Sequence, residues 1–309
     1  MSASPINLKT TLWGIFWACL STSLGGTTVV FTQMIIEDTE PLSLTAIRYG
    51  GAAIILLGFM VAKIRLPIFA RKDLVALTLI GAVMFAAFPF FMATALADTT
   101  AARGGLLFAT MPLITMSMAA LFGVERLTPL KVVAVLTAIF GTMIALGENV
   151  EDIAPHALRG DMYMFLGMLC ASSFNVFSGK YLVRYGNLPV MIFTMLIGVS
   201  VLFILAMIIE NPFSGSLEFD LTGWFIVFLL TVPGGALMMF SWGQALQRIT
   251  PTQAAITVGL NPVTAIFLAA WLLFEPITAR VVIGFFLIFA AILLANYRQR
   301  RTVAVPARD

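Results

Sequence analysis

One charged residue stands where charge is costly. Residues 44–51, LTAIRYGG, put Arg48 inside Leu42 to Ala62, a stretch otherwise apolar enough to cross a bilayer. A guanidinium stays charged, and its fork of N–H donors matches a carboxylate or phosphate. The other groups with chemistry to offer are amides and hydroxyls among apolar neighbours. They are Trp17 and Ser21, four apart; Ser172 and Asn175 in CASSFNVFSG (170–179); Gln244 after Met238 and Trp242; and Thr257 with Asn261. Such groups can bind a small molecule. A nucleophile–base pair or a metal cluster, which an enzyme needs, is not in evidence: the single His, His156, has no Cys nearby. The residues point to binding without covalent chemistry, and no cofactor or metal is implied.

The elements that carry these groups follow from composition. The 309 residues are 60% hydrophobic and 11% charged, with a mean hydropathy of +1.01. Soluble domains carry about 45–50% apolar and about 25% charged residues. Apolar runs of about 20 residues, the length that spans the hydrocarbon core as a helix, recur along the chain. The fold class is therefore an all-α polytopic membrane protein, with ten spans near 11–35, 42–62, 74–96, 100–123, 129–147, 161–183, 189–209, 222–246, 251–274 and 279–297. Thr128-Pro129 and Thr250-Pro251 supply N-cap and first-turn signals. Lys9 and the apolar run after it resemble a signal peptide, but the run is too long and reads as the first span. Cys19 and Cys170 both fall inside spans, so no disulfide framework is expected.

Charge placement sets the orientation. With the N-terminus in the cytoplasm, that side receives Lys9, Lys63, Arg65, Arg71, Lys72, Arg126, Lys131, Lys180, Arg184, Arg248, Arg298, Arg300, Arg301 and Arg308. The other side receives Arg103, Arg159 and Arg280. This is the positive-inside pattern; it places both termini in the cytoplasm and makes 298–309 a basic cytoplasmic tail. The net charge of +3 follows this topology and gives no reason to expect nucleic acid. Besides the lipid bilayer, the expected partner is a small-molecule substrate.

A shift of 150 residues aligns the chain with itself. Phe90, Ala95, Leu96, Thr100, Pro112, Ala119, Ala120, Glu125 and Thr128 meet Phe240, Ala245, Leu246, Thr250, Pro262, Ala269, Ala270, Glu275 and Thr278. Five spans per half is an odd number, so the halves, 1–147 and 161–297, lie inverted about the linker 148–160. Two inverted five-helix repeats are an architecture of secondary transporters, with a site near the midplane. With VERLTPL (124–130), FEPITAR (274–280) and Arg48, the chain resembles the EamA-type transporters of the drug/metabolite transporter superfamily. The resemblance implies an exporter of small metabolites in a bacterial inner membrane, with amino acids and related compounds as the best-known substrates. A facilitative carrier or importer of another small or drug-like amphipathic compound is the alternative. The second half lacks the arginine: PVMIFTMLIG (189–198) has only Thr194 nearby.

Polar groups at mid-depth must face the interior. Trp17, Ser21, Asn175, Asn261 and Gln244 are accordingly expected to line a substrate cavity, with Met238, Trp242 and Thr257 beside them. Ser172 can serve packing as well as lining. Phe85 and Phe88 offer an aromatic wall, although lipid-facing Phe is common. Pro89, Pro112, Pro233-Gly234-Gly235 and Pro262 interrupt spans and are expected hinges. Gly104 and Gly105 would permit close packing. Gly141 and Ala145, in the nearly apolar fifth span, form a small-residue pair suited to structure or to a homodimer through the fifth and tenth spans. Arg48 lies about 10 Å from the outer end of its span at 1.5 Å per residue. It can pair with an outer acid (Glu37, Asp38, Glu40, Asp98 or Glu275) or serve as an outer gate or carboxylate anchor. No Asp, Glu or His lies mid-span, so a proton relay has no obvious carrier, Asp98 at the outer edge being the nearest. A neutral, partly aromatic cavity suits neutral or aromatic amino acids moved by alternating access.

Overall fold

The structure, a computed structural model, describes residues 8–35, 39–63, 68–98, 107–146, 157–210, 218–273 and 279–297. Their regular structure is helical throughout, in ten segments. These are α1 (Leu8–Gln33), α2 (Pro41–Lys63), α3 (71–98), α4 (Met111–Leu121), α5 (Pro129–Leu146), α6 (Ala157–Tyr185), α7 (Asn187–Ile209), α8 (221–246), α9 (251–273) and α10 (Ala279–Tyr297). Eight are long and apolar enough to cross a membrane, and α4 and α5 are shorter apolar helices. Where they are described, the expected spans match within a few residues; the beginning of the fourth falls outside the described residues, and α6 begins inside the expected linker. The expectations for Gly104, Gly105, Glu37, Asp38, His156, Glu275 and the tail fall outside the described residues.

Three helices change pitch, and their sequences explain why. Proline has no N–H to give the carbonyl four residues back. α8 consists of Leu221–Thr231, a π turn at Val232–Leu237 containing Pro233, and Met238–Leu246. α3 has a π turn at Val83–Ala87, just before Pro89, between Arg71–Ala82 and Phe88–Asp98. α9 runs Pro251–Ile256, a 3-10 turn at Thr257–Gly259 ahead of Pro262, then Leu260–Leu273. Pro112 sits in the first turn of α4, after a turn at Ala109–Thr110. The expected hinge positions thus coincide with departures from α geometry. A shift of 150 carries Val83–Ala87 onto the π turn of α8 and the turn before α4 onto that of α9.

α1 packs along α8 and α9, while α6 packs along α3 and α4. α2 lies between α7 and α8, α7 lies between α2 and α3, and α5 pairs with α10. The main buried cluster joins α1, α2, α3, α6, α7 and α8, and a second joins α5, α9 and α10. Large apolar side chains such as Ile54, Phe140, Phe203, Phe225, Trp271 and Phe286 face outward, as lipid contact requires.

Glycine sets the closest approaches. A Cβ on Gly26 would lie 1.8 Å from Thr264 Oγ1 and 2.3 Å from the Asn261 carbonyl. A Cβ on Gly198 would lie 2.3 Å from the Gly81 carbonyl and 2.4 Å from Phe85 Cβ. The small-residue pair in α5 serves an intramolecular contact: a Cβ on Gly284 of α10 would lie 2.5 Å from the Gly141 carbonyl and 2.6 Å from Ala145 Cβ. That pair packs against α10 within the chain.

Carboxylates sit at helix ends. Asp73 accepts from Arg184 Nη1 (2.8 Å) and the Tyr185 hydroxyl (2.6 Å), and Asp98 accepts two bonds from Arg159, both 2.6 Å. α3 and α6 are therefore tied at both ends. One end of the bundle holds the start of α1 against Arg248 and Ile249, and the end of α10 against Gln253, whose Nε2 donates to Asn296 Oδ1 at 2.8 Å.

If these backbone contacts set the helix spacing, Gly26→Ala and Gly198→Ala should each cost on the order of 1–3 kcal/mol from overpacking. Their apparent melting temperatures, followed by fluorescence-detected size exclusion, should fall by several degrees. Gly58→Ala should leave the midpoint unchanged, because nothing lies within 4 Å of a Cβ there.

Candidate functional site

The π turn of α8 creates the need that Arg48 meets. In an α-helix the Gly234 carbonyl would accept from the Met238 N–H. That N–H instead donates to the carbonyls of Pro233 and Gly235. Arg48 Nη2 reaches across from α2 and donates to the skipped Gly234 carbonyl at 2.7 Å. The close crossing is possible because a Cβ on Gly235 would already sit 2.9 Å from Ala52 Cβ and 3.2 Å from the Arg48 carbonyl. One turn further on, Ser21 of α1 donates to the Met238 carbonyl at 2.8 Å. An unsatisfied backbone group in hydrocarbon costs several kcal/mol, so these two side chains stabilise the broken segment of α8.

The expected acidic partner of Arg48 is replaced by this carbonyl. Asp98 pairs with Arg159, and among the described residues Arg48 makes no ion pair. Its other neighbours are the Met238 sulfur, 3.7 Å from Nη2, and the Tyr49 ring, whose centroid is 4.8 Å from the guanidinium carbon. Nε is buried with no hydrogen-bond partner among the described residues. The charge thus sits beside the middle of α8 with its buried Nε donor unspent.

Aromatic rings continue from this point. Tyr49 meets Phe85 edge-on at 5.4 Å, and Phe85, fully buried in the π turn of α3, meets Phe174 at 5.9 Å. Phe88, one turn along, is half-buried near Gly167 of α6. Trp242 donates its indole N–H to Asn175 Oδ1 at 3.0 Å, both groups being buried. Asn175 Nδ2 has no partner among the described residues. The structure therefore brings Ser21, Arg48, Phe85, Asn175, Met238 and Trp242 into one neighbourhood built from α1, α2, α3, α6 and α8.

Other expected residues lie elsewhere. Trp17 lines a cavity of about 410 Å³ with Lys9, Thr10, Trp13 and Arg248, at the end of the bundle where α1 begins. Gln244 joins that end: its side-chain and backbone oxygens both accept from Arg248 Nη1, so it is not part of the central neighbourhood. Ser172 accepts from Thr115 at 2.9 Å, the packing role open to it. Thr257 is fully buried and donates to its own helix at the Ala254 carbonyl, 2.7 Å away, leaving no donor for a ligand. Asn261 packs on Gly25 of α1, its Oδ1 buried and without a partner among the described residues.

Two residues beside the site carry no strong sequence signal. Tyr49 follows Arg48 directly and flanks its charge. Asn187 donates to the Phe240 carbonyl at 2.8 Å, and a Cβ on Gly243 would lie 1.8 Å from its Oδ1. Only the adjacency of Asn187 to Pro189 at a helix start could have drawn attention to it.

The Trp242–Asn175 bond is testable. Trp242→Phe should strand the Asn175 carbonyl at a cost of about 1–3 kcal/mol. The double variant Trp242→Phe/Asn175→Leu should recover much of that loss in the apparent melting temperature.

With the geometry in place, comparison with known proteins is informative. The model of the EamA-like transporter family matches twice, over residues 12–147 and 158–297. Three relatives from Bacillus subtilis (strain 168) are each described as an uncharacterized transporter. YetK is 21% identical over 288 residues, covering 92% of this chain and 87% of its own. YoaV is 20% identical over 294 residues, covering 94% and 95%. YdfC is 24% identical over 235 residues, covering 75% and 73%. A solved crystal structure of a protein 21% identical in sequence superposes with a TM-score of 0.78, covering 95% of this chain and 98% of that one; it attests the fold. The two matched segments take in nearly the whole chain and every helix around Arg48, and the chain belongs to the EamA-like transporter family.

Proposed function

We propose that the protein exports small carboxylate-bearing metabolites, neutral or aromatic amino acids foremost, and that Arg48 anchors the substrate carboxylate. The observation that carries this reading is the buried Arg48 Nε, unpartnered among the described residues at the α2–α8 crossing. A fixed cation without a carboxylate of its own is costly in a low-dielectric interior, and an incoming carboxylate offsets that cost. Tyr49, Phe85, Phe174 and Trp242 pack as a buried aromatic group beside Arg48, which would part to receive the apolar portion of such a substrate. Met238 suits it too, since a thioether adapts to varied shapes.

Transport runs by alternating access, through rocking of helix groups about the Gly/Pro hinges of two inverted five-helix repeats, without covalent chemistry. The double family match and the π turns 150 residues apart support this arrangement. Both termini face the cytoplasm of a bacterial cell, as the Lys and Arg distribution supports. The cavity lined by Lys9, Trp13, Trp17 and Arg248 is then the cytoplasmic mouth, and its basic lining favours an anionic group on entry.

The two halves treat their equivalent positions differently, which makes one substrate pole. The position equivalent to Arg48 is Gly198, whose backbone presses onto the π turn of α3. One half thus supplies charge and the other close packing, as an asymmetric substrate with a single carboxylate requires.

The test is counterflow in proteoliposomes with labelled phenylalanine and leucine, each competed by its decarboxylated amine. Wild-type protein should exchange the amino acids and ignore the amines. Arg48→Gln should lower exchange at least tenfold at matched abundance, about 1.4 kcal/mol or more of lost interaction. Exchange at the wild-type rate by Arg48→Gln would sink the reading.

A further inference from the structure

Two carboxylates outside the central site each reach from one helix to cap another, at opposite ends of the bundle. Gly123 ends α4 with φ of +67°, a left-handed turn that glycine accepts readily. The turn carries Glu125 to the start of α9. There Glu125 Oε1 accepts from the Thr250 hydroxyl at 2.8 Å, and Oε2 accepts from the Thr252 hydroxyl at 2.8 Å and the Thr252 N–H at 3.2 Å. Lys131 pairs with the same carboxylate. At the other end, Glu210 closes α7 and turns to the start of α2. Its Oε1 accepts from the Leu42 N–H at 2.9 Å, and Oε2 accepts from the Ser43 N–H and hydroxyl, both at 2.8 Å.

Both contacts cross between the two family-matched segments. Glu125 lies in 12–147 and caps a helix of 158–297; Glu210 lies in 158–297 and caps a helix of 12–147. A carboxylate on the first N–H groups of a helix is a strong, directional interaction. Glu125 holds only the end where α1 begins and α10 ends, and Glu210 holds only the opposite end. Asp73 and Asp98 also join the two segments, through Arg184 and Arg159, but they tie a single pair of helices, α3 and α6, at both ends, so a motion that keeps that pair together leaves their bonds intact.

We propose that Glu125 and Glu210 are the latches of two gates, each holding one face shut by capping a helix of the other half. Release of Glu125 opens the basic end; release of Glu210 opens the opposite end. The proposal rests on the alternating-access reading above, and supplies the residues whose bonds must break at each face.

The experiment uses full-length protein in nanodiscs, with Cys19 and Cys170 replaced by Ala and one reporter cysteine at a time. Ala254→Cys lies just beneath the Glu125 cap and Ala46→Cys beneath the Glu210 cap; both positions are buried. The readout is the rate of modification by a membrane-impermeant maleimide. Glu125→Gln should raise the rate at position 254 about tenfold and lower it at 46, as a shifted two-state equilibrium requires. Glu210→Gln should do the reverse. Thr252→Val and Ser43→Ala, which remove only a hydroxyl donor, should give smaller changes of the same sign and remain informative if a Glu variant folds poorly. Equal acceleration at both positions, or no change at either, overturns the latches. Alternating access has its own readout: in the wild type, adding the amino acid best exchanged in proteoliposomes must move the two rates in opposite directions. If it does not, that reading fails whatever the latch variants do.

Discussion

A carbonyl released from its helix inside a bilayer must find another donor, because no water is at hand. That constraint organises the centre of this protein. Pro233 and two glycines turn α8 to π pitch, the Met238 N–H passes over Gly234, and Arg48 takes the vacated acceptor at 2.7 Å. The same contact explains why a charge is tolerated beside the middle of a membrane helix. The carbonyl, the Met238 sulfur and the Tyr49 ring compensate part of it. The Nε donor is left without a partner among the described residues. The residue that donates to α8 is thus also the one to which the proposed function gives the substrate carboxylate.

The halves share a plan and divide the work. π turns occur at positions 150 apart in α3 and α8, and proline-associated turns precede the main helical segments of α4 and α9. Arg48 reaches over the π turn of α8, whereas Gly198 lets α7 rest directly on that of α3. Both crossings are close, since a Cβ on Gly235 would lie 2.9 Å from Ala52 Cβ and one on Gly198 2.4 Å from Phe85 Cβ, but the α2–α8 crossing adds a charged side chain. At the α3–α7 crossing a methyl group on Gly198 would collide with Gly81 and Phe85.

Much of this was legible in the sequence, for physical reasons that also mark the limits. Apolar run length gave the helices within a few residues, and Pro and Gly marked the pitch changes in α3, α8 and α9. Thr250 with Gln253 forms a capping box where the Thr-Pro signal suggested a helix start. The partner of Arg48 was not legible: acidic loops suggested a carboxylate, but periodicity within α2 says nothing about which helix lies opposite. The bond of Gln244 to Arg248 near the end of α8 was not legible either, since the spacing of an amide along its helix does not name its partner. Glu210 stood in an acidic loop segment with nothing to distinguish it from Glu218, since its role depends on where the start of α2 lies in space.

The central claim concerns the Arg48 Nε donor, and nitrogen-15 NMR of arginine-labelled protein in lipid observes that group directly. Comparing wild type with Arg48→Lys assigns the signal. Phenylalanine should move the Arg48 Nε proton resonance downfield, as a new bond to carboxylate requires, while phenethylamine at the same concentration should leave it in place. An Nε signal indifferent to both compounds, or shifted equally by both, would contradict the assignment of Arg48 as a carboxylate anchor.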